Sequence, residues 1–313
     1  MQAIVYTAPL TLELQDVPEP VAGDGEVLVE VRAVGICGSE LEGFKSQSPF
    51  RVPPLIMGHE LAGVRLDTGE AVAVNPLISC GRCDLCLRGE ANLCRTRALL
   101  GVHRAGGFAE RVAVPERCLH PAGDLSPERA ALAEPLANAF HALRLAQRHD
   151  PQPQRVGVIG AGTLGLASAL VAKHLGVPEV IVCDLSDDRL ATAARAGITA
   201  ERELTGEFDV VVDAVGSAGT RRIAAERLRP GGSAVWIGLH EPDAGFDGLA
   251  LVRAEQRVLG TFAYVDRDFR AALALLPSLP TEWVTSVPLR EGVEAFMELV
   301  DGPGAAAKTL LVV

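Results

Sequence analysis

Four cysteines lie close together in the chain at a spacing suited to binding one metal ion. They follow the pattern C-x-x-C-x-x-C-x7-C and are Cys80, Cys83, Cys86 and Cys94. Four thiolates hold Zn²⁺ tetrahedrally at about 2.3 Å, and this closed shell leaves no position for a substrate. Gly81 and Gly89 supply the tight turns that a small metal-binding lobe needs. The stretch predicts a structural zinc site that shapes a loop, in preference to four free or redox-active thiols.

A second set of possible metal ligands is spread along the sequence. Its members are Cys37 in AVGICGSELEGF, His59 and Glu60 in MGHELAG, and Glu134 in LAEPLANAFHAL. Each has an ordinary structural explanation on its own: a buried thiol, a core histidine, or a carboxylate that caps a helix. Together they offer the mixed sulfur, nitrogen and oxygen ligation of a catalytic zinc with an open position for water. We therefore predict a catalytic metal site as well.

A glycine-rich turn stands between a predicted strand and a predicted helix. In VGVIGAGTLG the pattern G-x-G-x-x-G is formed by Gly160, Gly162 and Gly165, with Thr163 and Leu164 between the last two. In a dinucleotide site these glycines allow a tight first turn, a close backbone approach to the pyrophosphate, and close packing of the helix. The helix N-terminus then offers amide donors to the phosphates.

An acidic residue follows this turn at the distance expected for a ribose ligand. Asp184 ends the next predicted strand, EVIVCD, about 20 residues after the glycines. Its carboxylate can accept hydrogen bonds from both ribose hydroxyls and would repel a 2′-phosphate, so the sequence favours NAD over NADP. Arg189, one turn into the following helix, either faces the adenosine end of the cofactor or is a solvated helix residue.

Composition limits the classes of partner. The chain has 313 residues, a net charge of -11 and 48% hydrophobic residues, which predicts two globular domains and disfavours nucleic acid or anionic membranes as partners. The longest uncharged run, 156–172, is short for a membrane span and contains four glycines, so we expect a strand and a helix there. The first residues lack a secretory signal pattern. We therefore expect a cytoplasmic protein, where thiols bind metal more often than they form disulfides.

The pattern of elements predicts where these groups are held. Short β-type runs occupy residues 1 to about 120, including EVLVEVRAVGI and EAVAVNPL, and an alanine-rich helical region follows Pro127. Strands and helices then alternate, beginning with RVGVIG, which predicts a parallel, doubly wound sheet. Helical segments and an apolar strand, KTLLVV, end the sequence. The fold class is therefore α/β with an additional N-terminal β-barrel-like domain.

Several motifs together resemble those of the zinc-dependent medium-chain dehydrogenases, the family of alcohol, sorbitol and threonine dehydrogenases. GICGSE, GHE, the four-cysteine lobe, GGFAERVAVP, EPLANAFHA, GAGTLG and DAVG occur in the order found in that family. The resemblance implies a GroES-like catalytic domain at 1–134 and 262–313, with the zinc lobe at about 78–96. It also implies a Rossmann NAD-binding domain at 135–261 and two zinc ions per chain, one catalytic and one structural.

The resemblance also implies roles for individual residues. Cys37 and His59 would bind the catalytic zinc, and Glu60 or Glu134 would complete the shell beside water or substrate. One thiolate and one carboxylate neutralise Zn²⁺, so we expect a single glutamate to be bound at a time. The next two roles come with structural alternatives. Glu40 would accept a hydrogen bond from His59 unless it is a solvated surface residue, and Ser39 would pass the alcohol proton outward unless it only caps a turn.

One position departs from the family. Many members read C-G-[ST]-D-L-H, with a histidine in the proton relay, whereas this chain has Glu42 at the last position. Glu42 replaces the histidine as proton acceptor, or binds substrate hydroxyls or an amine, or the relay runs through water. We expect it to help bind a polar substrate. The most similar motifs are those of sorbitol-type members, so a polyol, sugar or (amino)cyclitol is the expected substrate.

Other functions of the same fold stay open at this point. One is a biosynthetic ketoreductase that uses NADPH, and another is a non-catalytic NAD-binding scaffold without catalytic zinc. The resemblance further implies a homodimer or homotetramer formed through the Rossmann sheets, with GGSAVWIGL as the edge strand. The only other partner we expect is a small-molecule alcohol or ketone.

Overall fold

The computed structural model describes residues 1–302, 304 and 306–313. The N-terminal part has ten strands and two short helices. The strands are β1 Gln2–Ala8, β2 Thr11–Asp16, β3 Glu26–Ile36, β4 Leu55–Ile56, β5 Glu60–Arg65, β6 Ala71–Val74, β7 Leu77–Ile78, β8 Ala98–Leu99, β9 Arg111–Pro115 and β10 Leu119–Pro121. The helices are α1 Gly38–Lys45 and α2 Asp84–Leu87.

Two helices, α3 Pro127–Ala131 and α4 Ala133–Gln147, lead into the alternating part of the chain. Its elements are β11 Arg155–Ile159, α5 Thr163–His174, β12 Glu179–Cys183, α6 Asp187–Arg195, β13 Thr199–Glu201, β14 Phe208–Asp213, α7 Ala218–Glu226, β15 Leu228–Trp236, α8 Gly248–Arg253 and β16 Arg257–Gly260. The last elements are α9 Asp266–Leu275, β17 Val284–Pro288, α10 Gly292–Asp301 and β18 Lys308–Val312.

The main sheet of the N-terminal unit is built around β3. Its strand order is β10-β6-β5-β3-β18-β17, and β9 also pairs with β3. Alternate apolar residues of β3, such as Val29 and Val31, are fully buried, which is the pattern of a strand with one face on a core. Strand β18 comes from the end of the chain and pairs antiparallel with β3. The C-terminal strand β18 therefore lies inside the main sheet of the N-terminal unit, between β3 and β17.

The second sheet has six parallel strands in the order β13-β12-β11-β14-β15-β16. This is the 3-2-1-4-5-6 order of a dinucleotide-binding fold, which confirms the predicted doubly wound sheet. The uncharged run at 156–172 forms most of β11 and α5, as predicted. No helix in the described ranges combines the length and the apolar character that a membrane crossing needs.

The prediction of the edge strand was wrong. The segment GGSAVWIGL forms part of β15, which has β14 on one side and β16 on the other. The outer strand is β16, and its four residues follow directly after α8. Because β16 is short and contains an arginine, its sequence alone gives a weak strand signal. Any pairing of subunits through this side of the sheet would therefore involve β16.

A buried ionic network joins α4, α9 and the cysteine-rich lobe. The carboxylate of Asp268 is fully buried, accepts a hydrogen bond from His141 Nδ1 at 2.8 Å, and pairs with Arg144. Asn92 of the lobe lies 3.3 Å from His141 Nε2 and donates to the Phe262 carbonyl at 2.8 Å. Burial alone would raise the pKa of Asp268, but the hydrogen bonds from His141 and Arg144 lower it below its usual value. The network therefore holds the carboxylate charged.

Replacing Asp268 by asparagine should lower the free energy of unfolding by about 3 kcal/mol, because the buried His141 and the partly buried Arg144 lose the carboxylate that they share. Urea denaturation at pH 7 measures this change. The lowered pKa means that the carboxylate stabilises the fold above its unfolded-state pKa, and this stabilisation is lost as pH falls below about 4. Asp266→Asn is the matched control, since that exposed carboxylate makes a surface pair with Arg270 at 2.6 Å. Equal losses in the two variants would contradict the prediction.

Candidate zinc and dinucleotide sites

The end of β3 and the start of β5 bring the first predicted ligands together. The two strands pair antiparallel with Gly35 opposite Glu60, so Cys37 and His59 lie just beyond the same end of the sheet. Gly35 leaves the space that the Glu60 side chain fills, since a Cβ there would lie 2.0 Å from Glu60 Oε2. Gly58 has a φ of +94° and directs the chain so that His59 points to Cys37. The space at Gly35 and the turn at Gly58 are therefore supplied by the glycines of the GIC and GHE motifs.

Cys37, His59 and Glu60 have the geometry of a metal site. One ligand atom from each lies within 4.8 Å of the others, and His59 and Glu60 are buried. A thiolate, an imidazole and a carboxylate form the mixed donor set of a catalytic zinc with an open fourth position. The residues therefore fit Zn²⁺, which they would hold while leaving room for a water molecule or a substrate oxygen.

Glu40 orients the histidine, as predicted. Its buried carboxylate accepts hydrogen bonds from His59 Nδ1 at 2.9 Å, from the Gly58 amide at 2.8 Å and from the Cys37 amide at 3.0 Å. Burial would raise the pKa of Glu40, but the positive charges of His59 and Arg51 and these hydrogen bonds lower it below its usual value. The carboxylate therefore fixes the tautomer in which Nε2 is free to bind metal. The alternative of a solvated surface glutamate is wrong.

Lys308 was missed by the sequence analysis. It is the first residue of β18 and is fully buried, with its Nζ 2.6 Å from Glu60 Oε2 and 2.8 Å from the Ile36 carbonyl. A lysine in the otherwise apolar segment KTLLVV was the available signal, because buried lysines require a partner. The ammonium group holds Glu60 by its carboxylate and competes with a metal ion for that ligand. This competition would favour Glu134 over Glu60 as the carboxylate ligand of the metal.

Glu134, at the start of α4, is buried near these residues but is not among the three whose ligand atoms lie within 4.8 Å of one another. Burial, with a smaller contribution from the Glu60 carboxylate, raises its pKa to about 7 against the opposing effect of His59. Asn138 donates a hydrogen bond to Glu134 Oε1 at 3.1 Å. The Tyr264 hydroxyl is buried without a hydrogen-bond partner among the described residues, and burial and the charge of Glu134 raise its pKa. A divalent cation in the site would convert Glu134 to the carboxylate form that binds metal.

Ser39 connects the sulfur ligand to a buried arginine. Its hydroxyl donates to Cys37 Sγ at 3.3 Å and accepts a hydrogen bond from Arg51 Nη2 at 3.1 Å. Glu42, one turn further along α1, is half exposed, and its Oε2 lies 3.9 Å from Nδ1 of His240 in the dinucleotide-binding part. Ser39 is thus beside the Cys37 sulfur, whereas Glu42 lies at the surface, where it meets a residue of the dinucleotide-binding part.

The four cysteines of the lobe meet as predicted. Their sulfur atoms lie within 4.8 Å of one another, with separations of 3.5 Å for Cys83 to Cys86 and 3.9 Å for Cys80 to Cys86. A tetrahedron of sulfurs at about 2.3 Å from Zn²⁺ has edges of about 3.8 Å. Backbone amides of Arg82 and Cys83 lower the pKa of Cys80 to about 6, which favours a thiolate. The lobe therefore fits a closed, four-sulfur zinc site.

The glycine-rich turn has the predicted shape. Gly160 has a φ of +94°, and a Cβ on Gly165 would lie 1.7 Å from the Gly160 carbonyl oxygen, so both positions need glycine. Nothing lies within 4 Å of where a Cβ of Gly162 would be, which leaves space for a pyrophosphate. Thr163 begins α5 and donates a hydrogen bond to the Ala307 carbonyl, while Leu164 packs against the core.

Asp184 lies beside this turn because β11 and β12 are parallel neighbours. Its Oδ2 accepts a hydrogen bond from the Ala161 amide at 2.7 Å, and its Oδ1 accepts one from the Ser186 amide at 2.9 Å. Arg189 Nη1 lies 3.7 Å from Asp184 Oδ2, so the arginine faces the carboxylate and not bulk solvent. These residues form one polar corner at the carboxyl end of the sheet.

The remaining cysteines carry no sign of chemistry. Cys118 and Cys183 are buried, and burial raises the pKa of each thiol to about 11. Both are therefore small buried residues of the core.

Comparison with known proteins identifies the family. The description "Alcohol dehydrogenase GroES-like domain" matches residues 23–124, and "Zinc-binding dehydrogenase" matches residues 163–278. L-galactonate-5-dehydrogenase of Escherichia coli K12 is 30% identical over 86% of this chain and 85% of its own length. D-altritol 5-dehydrogenase of Agrobacterium fabrum C58 is 32% identical over 88% of each chain. These matches confirm the resemblance drawn from the motifs.

A solved structure agrees along the whole chain. Acetophenone reductase from Geotrichum candidum NBRC 4597, in complex with NAD, superposes with a TM-score of 0.90 at 26% identity and covers 100% of this chain and 97% of that one. From the two matching domain descriptions and these relatives, the chain belongs to the zinc-dependent medium-chain family of alcohol and polyol dehydrogenases.

Proposed function

We propose that this protein oxidises a secondary hydroxyl group of a polyhydroxylated substrate with NAD⁺, or reduces the corresponding ketone with NADH. The observation that carries the proposal is the convergence of Cys37, His59 and Glu60 within 4.8 Å, on the domain that faces the dinucleotide turn. Their donor set suits a Lewis-acidic zinc, and the glycine-rich turn suits a hydride-accepting cofactor. We assign the metal-binding domain to 1–134 and 262–313 and the cofactor domain to 135–261.

The residues of the proposed site would have separate roles in holding the metal and in moving the alcohol proton. Cys37, His59 and either Glu60 or Glu134 would hold Zn²⁺, which supplies a Lewis acid that favours the alkoxide form of a bound alcohol. Ser39 is placed to take up the alcohol proton, since its hydroxyl already lies 3.3 Å from the Cys37 sulfur. Lys308 holds Glu60, so that Glu134 can complete the shell, and Glu40 keeps His59 in position.

The substrate class rests on two kinds of support. Two relatives are named for position 5 of a sugar acid and of a hexitol, L-galactonate and D-altritol. In addition, Ser39, Glu42 and His240 give the cleft polar groups suited to hydroxyls. We therefore propose a polyol, sugar or related hydroxylated compound. Glu42 stays a predicted substrate-binding residue, and its half-exposed carboxylate 3.9 Å from His240 supports this role.

We propose NAD as the cofactor, because Asp184 would repel a 2′-phosphate. Asp184→Asn should lower kcat/KM for NAD⁺ by about 10- to 100-fold, since charged hydrogen bonds to the ribose are lost, and should raise kcat/KM for NADP⁺, since the repulsion of the 2′-phosphate is removed. Steady-state kinetics with both cofactors measure this. Asp187→Asn, a change of an exposed carboxylate three residues away, should have no such effect. A variant that lost activity equally with both cofactors would contradict the ribose-binding role.

Three further parts of the proposal concern the whole protein. We propose two zinc ions per chain, one at each described site. We also propose a homodimer or homotetramer in the cytoplasm, with β16 as the outer strand available for sheet pairing.

The proposed function is tested with purified protein loaded with zinc. Zinc is measured by elemental analysis, and NADH formation is followed at 340 nm with polyols, cyclitols, sugars and 3-hydroxy amino acids. We expect two zinc ions per chain and oxidation of at least one hydroxylated compound. Tighter binding of NADPH than NADH would favour the ketoreductase alternative. One zinc per chain without turnover would favour a non-catalytic scaffold.

A further inference from the structure

The buried guanidinium of Arg51 lacks a counter-ion. Arg51 lies in the segment between α1 and β4 and is 9% exposed. Its Nη2 donates to Ser39 Oγ at 3.1 Å, and its Nε is buried without any partner among the described residues. No carboxylate oxygen of the described residues forms an ion pair with it at 4.0 Å or less. A buried charge without a partner costs free energy, so the position requires an explanation.

The fold makes room for this cation. A Cβ on Gly43 would lie 2.8 Å from Arg51 Nη1 and 3.1 Å from its Cδ. Helix α1 therefore has glycine where the arginine packs, although glycine inside a helix costs about 1 kcal/mol relative to alanine. Replacing Gly43 by any larger residue would push the guanidinium out of its place. The arginine is thus held between α1 and the metal site by the shape of the backbone.

Neither nearby carboxylate neutralises Arg51 by contact. Glu40 contributes only a longer-range attraction, because its oxygens already accept hydrogen bonds from His59, Gly58 and Cys37. Glu42 is half exposed, and the ion-pair distance found for it among the described residues is to the His240 imidazole, at 3.9 Å, and not to Arg51. The Arg51 guanidinium has no carboxylate partner, and the Ser39 hydroxyl links it to the Cys37 sulfur, the proposed metal ligand.

We propose that Arg51 binds an anionic group of the substrate, a carboxylate or a phosphate, and so makes the enzyme specific for hydroxylated acids or sugar phosphates. The inference rests on the proposed function and narrows its substrate class. The planar guanidinium binds carboxylates and phosphates through two parallel N–H donors, which an ammonium group cannot do. Because Ser39 separates Arg51 from the metal ligand, the anionic group lies near the hydroxyl that is oxidised.

The test compares matched substrates on the zinc-loaded enzyme. The anionic probes are the hexonates L-galactonate, L-idonate and D-gluconate and galactitol 1-phosphate, L-threonine is a zwitterionic probe that also has a carboxylate, and the neutral probes are the hexitols galactitol, L-iditol and D-glucitol. The variants are Arg51→Gln, Arg51→Lys and, as a control, Lys45→Gln, which changes an exposed cation at the end of the neighbouring helix α1. We expect the wild type to prefer one anionic class by at least tenfold in kcat/KM.

Arg51→Gln should lower kcat/KM about 100-fold for that class and less than threefold for neutral hexitols. Arg51→Lys should recover part of the loss by restoring the charge, and Lys45→Gln should behave as wild type. The preferred probe identifies the anion as carboxylate, phosphate or amino acid. Circular dichroism and zinc content verify that each variant is folded and loaded. Inhibition of hexitol oxidation by D-gluconate, weakened about 100-fold in Arg51→Gln, supplies a second measurement.

Several outcomes would overturn the inference. An equal loss on anionic and neutral substrates would make Arg51 a positioning residue for Ser39, and a change confined to the KM for NAD⁺ would assign it to the cofactor. Oxidation of neutral hexitols without any anionic preference would sink this inference and leave the proposed function intact. A wild type that oxidises none of these probes would reject this inference, and one that, with two zinc ions bound, oxidises nothing in the wider panel of polyols, cyclitols, sugars and 3-hydroxy amino acids would reject the proposed function as well.

Discussion

Replacing Cys37 by alanine is expected to lower kcat/KM by a factor of about 10³ or more and to remove one zinc ion per chain. The sulfur is the softest ligand of the proposed catalytic site and lies 3.3 Å from the Ser39 hydroxyl. Without it, His59 and one carboxylate cannot hold the metal as three protein ligands do. The alcohol would then keep its solution pKa, and its proton would not be lost near neutral pH.

Cys118→Ala is the matched control, since it removes a buried thiol that belongs to neither zinc site. Kinetics with the best substrate, zinc analysis and circular dichroism are measured on both variants. We expect the control to keep two zinc ions and most of its activity. If Cys37→Ala kept two zinc ions and activity within tenfold of wild type, the assignment of this site as catalytic would be wrong.

Replacing Cys94 by alanine is expected to lower the melting temperature by about 10 °C while leaving the catalytic metal in place. Cys94 is fully buried, and its sulfur accepts a hydrogen bond from the Cys80 amide at 3.4 Å. Three thiolates leave a labile site, so the folding free energy that zinc contributes to the lobe is lost. Asn92 then no longer holds the lobe to the Phe262 carbonyl, and the effect reaches α4 and α9.

Arg95→Ala separates loss of metal from loss of surface contacts in the same lobe. Its side chain is exposed and pairs with Asp84, and such solvent-screened surface pairs contribute little to stability. Thermal denaturation and zinc content are measured with and without a chelator. We expect one zinc per chain in Cys94→Ala and two in Arg95→Ala. Equal melting temperatures for Cys94→Ala and wild type would contradict a structural zinc.

Local motifs made most of the two sites predictable from the sequence. The glycine pattern at 160–165 and the cysteine pattern at 80–94 each lie within one short stretch, so their geometry follows from the local chain. Cys37 and His59 are farther apart in the sequence, but both lie at ends of paired strands. The resemblance to the dehydrogenase family predicted that both are metal ligands. The structure brings the Cys37 sulfur and the His59 ring together, as these motifs predict.

Pairs that are distant in sequence could not be predicted in this way. Lys308 meets Glu60 across 248 residues, and Asp268 meets His141 across 127. Arg51 is only twelve residues from Ser39, but its burial depends on Gly43 and on how the segment folds back over α1. The prediction of the edge strand was wrong for a related reason, because pairing order in a sheet depends on tertiary contacts and not on the hydrophobicity of one segment.

The long-range contact of Lys308 has a consequence for the order in which the protein is made. Its ammonium group meets the Ile36 carbonyl, 272 positions earlier, and the ribosome must synthesise the whole dinucleotide-binding domain between these two residues. A nascent chain that already displays Cys37, His59 and Glu60 therefore still lacks β18 and the cation that holds Glu60. Metal captured during translation would meet an unfinished centre, so the enzyme acquires its activity only after this late strand has left the exit tunnel.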